Sequence, residues 1–519
     1  MKSHHPLFTL TTAIDYTNAA PHIGHAYEKI LADVIARFQR LRGREVLFIT
    51  GVDQHGQKVK QAAEKQGISP QEFSNSVTAK FTALWSSLEI SYDRWAATTD
   101  PLHQQTVRKI LQKLYEAGNL YKSTHSGFYS VRQEQFLTDK DRNEAGEFGL
   151  EWGEVISLEE ENWYFRLAVH LPWLLEFIKN HPQFVTPTFR QTEVINAIQR
   201  GGQDLCISRP KSRLSWGIEF PFDSEFVTYV WFDALINYIS FSGYLSEDPE
   251  EEKNFWSRWP ALHIIGKDIM VPAHAIYWPI MLHAMGFSDE QIPRLLVHGW
   301  WNRKGMKVSK SLGNAVDPAE LALRYGMGAL RYYFVRDIVT GQDADFSEER
   351  LVMLYNTELA NGVGNLLNRT LNMTHRYLGG TIRSGYEFPE GEALSKENIQ
   401  DSKEYLIHME SFEINLAIEA IGKIVTRSNT FVETCAPWRL AKDPGQKDRL
   451  EGVLKMLCES TRLIASLLAP IVPQESTAML RQLNMTSLSL TELDLALNVP
   501  FTVGAATPVF PRIEEAMSS

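Results

Sequence analysis

Two histidines three positions apart, in the stretch AAPHIGHAYEKI (residues 19–30), are the first residues whose types and spacing suggest chemistry. His22 and His25 would lie on one side of a helix, because residues three apart are neighbours on a helix surface. Gly24 between them would let a flat purine ring approach the backbone, since glycine has no side chain. Imidazoles at a helix start can hydrogen-bond phosphate oxygens. Taken alone, the motif fits two surface or capping histidines equally well.

A second group of candidate residues lies in RKGMKVSKSLGN (residues 303–314), where Lys307 and Lys310 share a loop with two glycines and two serines. Ammonium groups on such a loop suit a reaction in which negative charge develops on phosphate oxygens. By itself, a basic loop is more simply a solvated surface. The occurrence of both groups in one chain favours an active site for phosphate chemistry.

The elements that must position these residues are those of a doubly wound α/β sheet. LFTLTTAI (7–14) and EVLFIT (45–50) predict two strands, and a helix is predicted between them, starting after Pro21. Its apolar positions fall at the spacing of one buried face: Tyr27, Ile30, Leu31, Val34, Ile35 and Phe38. The start of such a helix is where α/β sheets bind anionic ligands.

Five segments are predicted along the chain. Residues 1–117 alternate strand and helix, residues 118–225 form an insertion of short aromatic strands, and residues 226–300 complete the sheet. The lysine loop belongs to residues 301–355, and residues 356–519 are predicted to be almost entirely helical. Within that last segment, the charged, glycine-containing stretch 379–398 is expected to be a loop.

The composition is that of an ordinary globular protein with several domains. The 519 residues are too many for one hydrophobic core, and 44% of them are apolar. No apolar run reaches the roughly 18 residues of a membrane-spanning helix, and the N-terminus lacks a signal-peptide pattern. Three scattered cysteines, Cys206, Cys435 and Cys458, favour a reducing, cytoplasmic location. The net charge of −11 argues weakly against nucleic acid, although a local basic surface could still bind phosphate.

Both signatures, and further stretches, resemble the methionyl-tRNA synthetase family of class I aminoacyl-tRNA synthetases. The histidine motif matches the HIGH signature of that class, and KVSKS matches its KMSKS signature. The resemblance continues, in order, through FITGVDQHGQKV, ISRPKSRLSWGIEFP, TYVWFDALINY, IGKDI, LANGVGNLLNRTLNM and APWRLAK. It implies a Rossmann-like catalytic domain interrupted by a connective insertion, then a KMSKS-type loop with a stem-contact region, then an α-helical bundle that binds the anticodon.

The resemblance implies a ligase that forms methionyl-adenylate from methionine and ATP, then transfers the methionyl group to initiator and elongator methionine tRNA. The implied ATP-binding residues are His22, Gly24, His25, Gly266, Asp268, Lys307 and Lys310, of which the histidines and lysines are catalytic. The implied methionine-binding residues are Ile14, Tyr16, Asp53, Trp231, Ala234, Tyr238, Ile269 and His274. Aromatic walls suit a polarizable thioether. Magnesium is expected as the partner of ATP.

Two departures from the family pattern lead to further expectations. Four residues, not the usual three, separate GKDI from His274, and Pro272 among them is expected to reshape the helix start. In the insertion, Ser130 and Gln133 occupy the place of the first cysteine pair of a zinc knuckle, and neither is a credible zinc ligand. We therefore predict no structural zinc.

The resemblance also implies residues that contact tRNA. The anticodon contacts fall on Asn365, Arg369 and Trp438. Asn365 and Arg369 would share one helix face, and Trp438 offers a stacking surface for an unpaired base. The chain leaves no room for the oligonucleotide-binding barrel that makes some relatives dimeric, so a monomer is expected.

Two other classes of function remain to be weighed. A small-molecule nucleotidyltransferase also uses His-x-Gly-His on an α/β sheet, but it would leave the insertion and the helical end unexplained. A non-catalytic tRNA-binding relative should have lost histidines or lysines, and this chain keeps both pairs. Methionine-dependent exchange of pyrophosphate into ATP separates all three.

Overall fold

A seven-stranded parallel sheet forms the centre of the protein in the computed structural model, which describes residues 7–130, 135–137, 139–143, 145–303, 305–307, 316–490, 493 and 495–514. Its strands are β1 (Phe8–Thr12), β2 (Asp15–Tyr16), β3 (Val46–Asp53), β4 (Arg94–Ala97), β8 (Val185–Thr186), β13 (Leu262–Gly266) and β14 (Arg294–His298). Their spatial order is β2, β3, β1, β13, β14, β8, with β4 also paired to β3. The predicted α/β class with an interrupted sheet is confirmed.

Helices cover this sheet, as the alternating sequence pattern predicts. They are α1 (Ile23–Leu41), α2 (Gln57–Gln66), α3 (Pro70–Ser87), α4 (Pro101–Glu116), α7 (Val230–Ser240), α8 (Pro249–Arg258), α9 (Lys267–Ile269) and α10 (Trp278–Ala284). All six apolar residues predicted to form the buried face of α1 are at most 1% exposed. Burying such a side chain contributes roughly 1.5–3 kcal/mol, which fixes α1 against the sheet.

The insertion is built on a long antiparallel pair, β5 (Leu120–Ser130) and β7 (Val155–Phe165), extended by β6 (Gln135–Leu137) and β9 (Leu205–Cys206). It also contains α5 (Leu171–Asn180), α6 (Phe189–Gln199), and a small sheet of β10 (Ser208–Pro210), β11 (Glu219–Phe220) and β12 (Asp223–Thr228). One strand from within it, β8, joins the edge of the central sheet beside β14. The insertion is therefore tied directly to the sheet that it interrupts.

After the central sheet, a three-stranded sheet leads into the helical end. It consists of β15 (Trp301–Arg303), β16 (Met306–Lys307) and β17 (Ala344–Asp345), and α11 (Pro318–Tyr325) and α12 (Met327–Asp337) lie between the last two strands. The helical end contains α13 (Glu348–Leu354), a π-helical segment (Tyr355–Gly364), α14 (Asn365–Leu378), α15 (Pro389–Glu410), α16 (Ile414–Cys435), α17 (Pro437–Leu440), α18 (Lys447–Leu468) and α19 (Pro473–Leu483). A short ribbon pairs β18 (Thr381–Ile382) with β19 (Phe501–Thr502).

The expected loop over residues 379–398 is wrong in its second half, because α15 begins at Pro389. The buried face of α15 includes Gly391, Asn398 and Asp401, so small and polar residues hide its helical periodicity. Gly391 is needed for close packing, since a Cβ there would lie 2.9 Å from Cε1 of Phe388.

A fully buried arginine joins the helical end to the central sheet. The Arg331 guanidinium on α12 pairs with Asp33 of α1 at 2.6 Å. It also donates to the carbonyl of Leu88, and to those of Pro470 and Ile471 between α18 and α19. Removing one partner of a buried pair of this kind typically costs 3–5 kcal/mol. Arg331 therefore holds three separate parts of the chain together.

Candidate active site

One cavity of about 480 Å³ opens at the carboxyl ends of the central strands, where α/β sheets bind ligands. It gathers residues that are far apart in sequence. All eight predicted methionine-binding residues line it, Ile14, Tyr16, Asp53, Trp231, Ala234, Tyr238, Ile269 and His274. Five predicted ATP-binding residues line it as well, His22, Gly24, His25, Gly266 and Asp268. The structure therefore brings the two predicted sets together.

The two signature histidines cap the N-terminus of α1 with their rings. The His22 backbone is extended, its Nδ1 accepts the Gly24 N–H at 3.1 Å, and His25 Nδ1 accepts the His22 N–H at 3.1 Å. Because Nδ1 of each ring is an acceptor, a neutral ring carries its proton on Nε2. A Cβ on Gly24 would lie 3.0 Å from Cε1 of His22. A side chain at position 24 would therefore crowd the His22 ring, so glycine lets this ring keep its position and also leaves space for a ligand.

Behind these histidines lies a buried charged cluster that the sequence reasoning missed. Lys29 Nζ donates to Asp15 Oδ1 at 3.0 Å, to Glu28 Oε1 at 2.6 Å and to the Ala13 carbonyl at 2.9 Å. Glu28 Oε2 lies 3.1 Å from Nε2 of His298. Burial raises the pKa of Asp15 to about 7, although Lys29 lowers it. Burial also opposes ionisation of Glu28, but Lys29 and His298 hold the pKa of its carboxyl below the usual range.

The predicted methionine end of the cavity contains a fixed tyrosine–histidine pair. The Tyr238 hydroxyl donates to His274 Nε2 at 2.7 Å, and His274 Nδ1 donates to the Ile269 carbonyl at 2.8 Å. Burial lowers the pKa of His274 to about 4, so the ring is neutral at physiological pH. Two hydrogen bonds thus fix one tautomer and one orientation.

The extra residue before His274 does not remove this side chain from the cavity. Residues Met270–Tyr277 form π-type turns, and Val271 within them has an extended backbone with φ −111° and ψ 127°. A π-type turn takes up one residue more than an α-helical turn. The expected reshaping of the helix start is observed, and His274 still reaches Tyr238.

Asp53, at the end of β3, is 7% exposed and lines the same cavity. Its Oδ1 accepts from Thr98 Oγ1 at 3.3 Å and from the His55 N–H at 3.4 Å. These long bonds orient the carboxylate, which lines the cavity together with apolar side chains such as Ile14 and Trp231. A carboxylate in such a setting is suited to bind a ligand ammonium group.

The family described as "tRNA synthetases class I (M)" matches residues 8–145 and 153–371, and "Anticodon binding domain of methionyl tRNA ligase" matches residues 383–511. The chain belongs to the methionyl-tRNA synthetase family. It is therefore a class I aminoacyl-tRNA synthetase, and both signatures that carry the resemblance lie within the first match.

Individual members of the methionyl-tRNA synthetase family align over nearly the whole chain. The methionine–tRNA ligase of Lactococcus lactis is 37% identical over 98% of this chain and 78% of its own length. That of Nostoc sp. is 38% identical over 98% of this chain and 97% of its own length. The Mycobacterium tuberculosis enzyme in complex with methionyl-adenylate superposes with a TM-score of 0.89, at 35% identity over 98% of this chain and 100% of that chain.

The three residues that the methionyl-tRNA synthetase resemblance implies for the anticodon lie near one another on the helical end. Asn365 begins α14 and is exposed. Arg369, one turn later, pairs with Glu433 at 2.6 Å, and its guanidinium carbon lies 6.0 Å from the centroid of the Trp438 ring. Trp438 is half-buried on α17. Part of its ring surface therefore faces solvent beside a cation.

Several of the predictions fall wholly or partly outside the described residues. Lys310 and Gln133 lie outside them, and Lys307 is described only for its backbone, in β16. Ser130, which is described, donates to the Trp152 carbonyl at 2.5 Å. No group of three or more His, Cys, Asp or Glu side chains within the described ranges is placed to hold a metal ion. The absence of structural zinc stays a prediction.

Sequence reasoning also missed residues that line the cavity outside the two signatures. Lys58 on α2, and His298, Gly299, Trp300 and Trp301 at and after the end of β14, all line it. The predicted strand in LLVHGW was the signal that could have identified the last four, because they lie at the end of that strand or directly after it. Among the helices of the described residues, none is long and apolar enough to cross a membrane.

Proposed function

We propose that the chain activates L-methionine with ATP and transfers the methionyl group to methionine tRNA. The observation that carries this proposal is the shared cavity, since every predicted methionine- and ATP-binding residue outside the lysine loop lines it. Membership of the methionyl-tRNA synthetase family supports the same reaction. A relative solved with methionyl-adenylate matches the fold over nearly the whole chain.

In the first step, the methionine carboxylate attacks the α-phosphate of ATP, and pyrophosphate leaves. His22 and His25 donate from Nε2 to phosphate oxygens, because their Nδ1 atoms already accept backbone N–H groups. Magnesium arrives as the partner of ATP, and Lys307 and Lys310 stabilise the departing pyrophosphate. Positioning and charge neutralisation carry such a displacement, since the protein forms no covalent bond to the phosphate.

The two substrates occupy different ends of the cavity. Gly266 and Asp268, directly after β13, bind the ribose of ATP, because a carboxylate accepts strong hydrogen bonds from hydroxyl groups. Asp53 binds the methionine ammonium group. The rings of Tyr16, Trp231 and Tyr238 surround the thioether, which gains from contact with aromatic rings.

In the second step, a hydroxyl of the terminal ribose of the tRNA attacks the methionyl carbonyl, and AMP leaves. The helical end selects this tRNA by its anticodon. Trp438 stacks on an anticodon base, and Arg369 and Asn365 contact the same loop. In this scheme, residues 1–117 and 226–300 form the catalytic domain, and residues 356–519 bind the anticodon. We further propose that the protein works as a monomer in the cytoplasm.

Exchange of labelled pyrophosphate into ATP tests the proposal directly. The purified protein should catalyse exchange with methionine and not with leucine, isoleucine, valine or cysteine. A nucleotidyltransferase would show exchange that ignores methionine, and a non-catalytic tRNA-binding protein would show none. Charging of methionine tRNA, measured in parallel, should require the same amino acid. Either contrary result in the exchange assay would refute the proposed function.

A further inference from the structure

The carboxylate of Asp343, just before β17, joins two loops on the wall of the cavity. Its Oδ2 pairs with Lys267 Nζ at 2.6 Å, and its Oδ1 accepts the Trp300 N–H at 2.9 Å. Lys267 stands between Gly266 and Asp268, both of which line the cavity, and Trp300 lines it from the other loop. One carboxylate therefore fixes the separation of the two loops.

Two further contacts make this junction rigid. The Lys267 ammonium lies 3.9 Å from the centroid of the Trp300 ring, a cation–π distance. A Cβ on Gly299 would lie 2.0 Å from the Gln342 carbonyl oxygen, so the chain before Asp343 packs directly on the chain before Trp300. Burial opposes ionisation of Asp343, but the bonds from Lys267 and Trp300 lower the pKa of its carboxyl.

The same segment holds the hairpin that ends at Lys307. β17 pairs in parallel with β15, with Trp301 opposite Ala344 and Asn302 opposite Asp345. The Asp345 Oδ1 accepts the Gly305 N–H at 2.9 Å. Asp343 therefore lies where three parts of the chain meet. These are the loop of Gly266 and Asp268, the loop of Trp300, and the base of this hairpin.

From this junction we infer that Asp343 is a positioning residue for ATP, acting through Lys267 and Trp300 without contacting methionine. The inference rests on the proposed function and adds a residue to it. Asp343 holds the loop of Gly266 and Asp268 at a fixed distance from the wall formed by Trp300. Gly266 and Asp268 are therefore placed against the Trp300 wall before ATP arrives, and such placement is the condition for effective transition-state binding.

Steady-state pyrophosphate exchange with varied ATP and varied methionine tests this assignment. Asp343→Ala should raise KM for ATP by about tenfold, since small misplacements of binding groups are costly. KM for methionine should stay within about twofold of wild type, because most of the methionine end, including Asp53 and Trp231, lies on β3 and α7, away from the two joined loops. Asp343→Asn should be intermediate, because its amide oxygen still accepts the Trp300 N–H but its charge is lost.

A matched control and a double variant separate positioning from general damage. Glu348 is a similarly exposed carboxylate that pairs with Arg324 and Tyr325, neither of which lines the cavity. Glu348→Ala should therefore leave both KM values unchanged. Lys267→Met should reproduce the Asp343→Asn effect, and combining the two should add little, because both remove one ion pair.

Three outcomes would overturn the inference while leaving the proposed function standing. The first is a wild-type KM for ATP in Asp343→Ala. The second is an equal rise in both KM values with a lowered melting temperature, which would indicate a fold defect. The third is full additivity of Asp343→Asn and Lys267→Met. A wild-type protein without methionine-dependent exchange would instead refute the proposed function, and this inference with it.

Discussion

Replacing Asp15 by asparagine should change how the stability of the protein depends on pH. Asp15 is 5% exposed, and its Oδ2 has no hydrogen-bond partner among the described residues, whereas its Oδ1 accepts from Lys29. The groups that face it are the Lys29 ammonium, the neighbouring Glu28 carboxylate and the His25 ring, whose Nε2 lies 3.9 Å away. An asparagine can accept the same bond from Lys29 without carrying a charge.

The size and sign of the effect follow from the pKa of Asp15, which rises from 3.8 to about 7 on folding. Each pKa unit corresponds to 1.36 kcal/mol, so the shift represents about 4 kcal/mol. Because the pKa is raised, the folded state holds the proton more tightly than the unfolded state between these two values. Its contribution to stability is therefore present at low pH and is lost as pH rises through about 7.

Thermal unfolding of wild type and Asp15→Asn at pH 5 and pH 8 measures this directly. The variant should gain stability relative to wild type between the two pH values by about 3 kcal/mol, because only the interval from pH 5 to about 7 lies within the pKa shift of Asp15. The control is Glu404→Gln, because hydrogen bonding to Lys423 lowers the pKa of this exposed carboxyl. The contribution of Glu404 to the free energy of unfolding is nearly constant from pH 5 to pH 8, because its carboxyl stays ionised over this interval. A difference between Asp15→Asn and wild type that does not change with pH would refute the reasoning.

Four further predictions concern the reaction and the metal content of the protein. His22→Ala should slow adenylate formation by an amount equivalent to about 2–4 kcal/mol while the fold stays intact, and so should Lys310→Ala, whereas His408→Ala on the surface of the helical end should not. Metal analysis should find less than one zinc per chain, and a chelator should change neither the melting temperature nor, with magnesium restored, the activity. Trp438→Ala should weaken tRNA charging by roughly one to two powers of ten and spare methionine activation, because stacking is worth about 1–3 kcal/mol. Asp53→Ala should abolish activation, and Trp256→Ala, an exposed tryptophan outside both sites, should affect neither reaction.

The sequence was sufficient for features that depend on local periodicity. The buried face of α1 follows from residues spaced along one helix, and the β–α–β unit around it follows from two short apolar runs. The two signatures led to the family resemblance, and the resemblance gave the predicted methionine-binding and ATP-binding residues. What these features share is that residues close in sequence carry the signal.

Features that depend on distant partners could not be predicted in this way. Glu28, Lys29 and Asp33 are charged residues on α1 that polarity alone assigns to solvent, yet all three are at most 5% exposed. Lys29 finds Asp15 14 residues away, Glu28 finds His298 270 residues away, and Asp33 finds Arg331 298 residues away. Each of these charges can be buried because an oppositely charged or hydrogen-bonding partner is buried beside it. The partner is distant in sequence, so no local pattern predicts the pair.

The bonds of Arg331 to Asp33 and to the carbonyls of Pro470 and Ile471 join α1 and the helical end into one frame. This helix has 19 residues and is about 28 Å long, and its first turn faces the cavity. The frame sets one fixed span between the cavity and the surface around Trp438. Under the proposed function, we expect a tRNA with a correct anticodon to be charged poorly when the distance between its anticodon and its terminal ribose does not match this span.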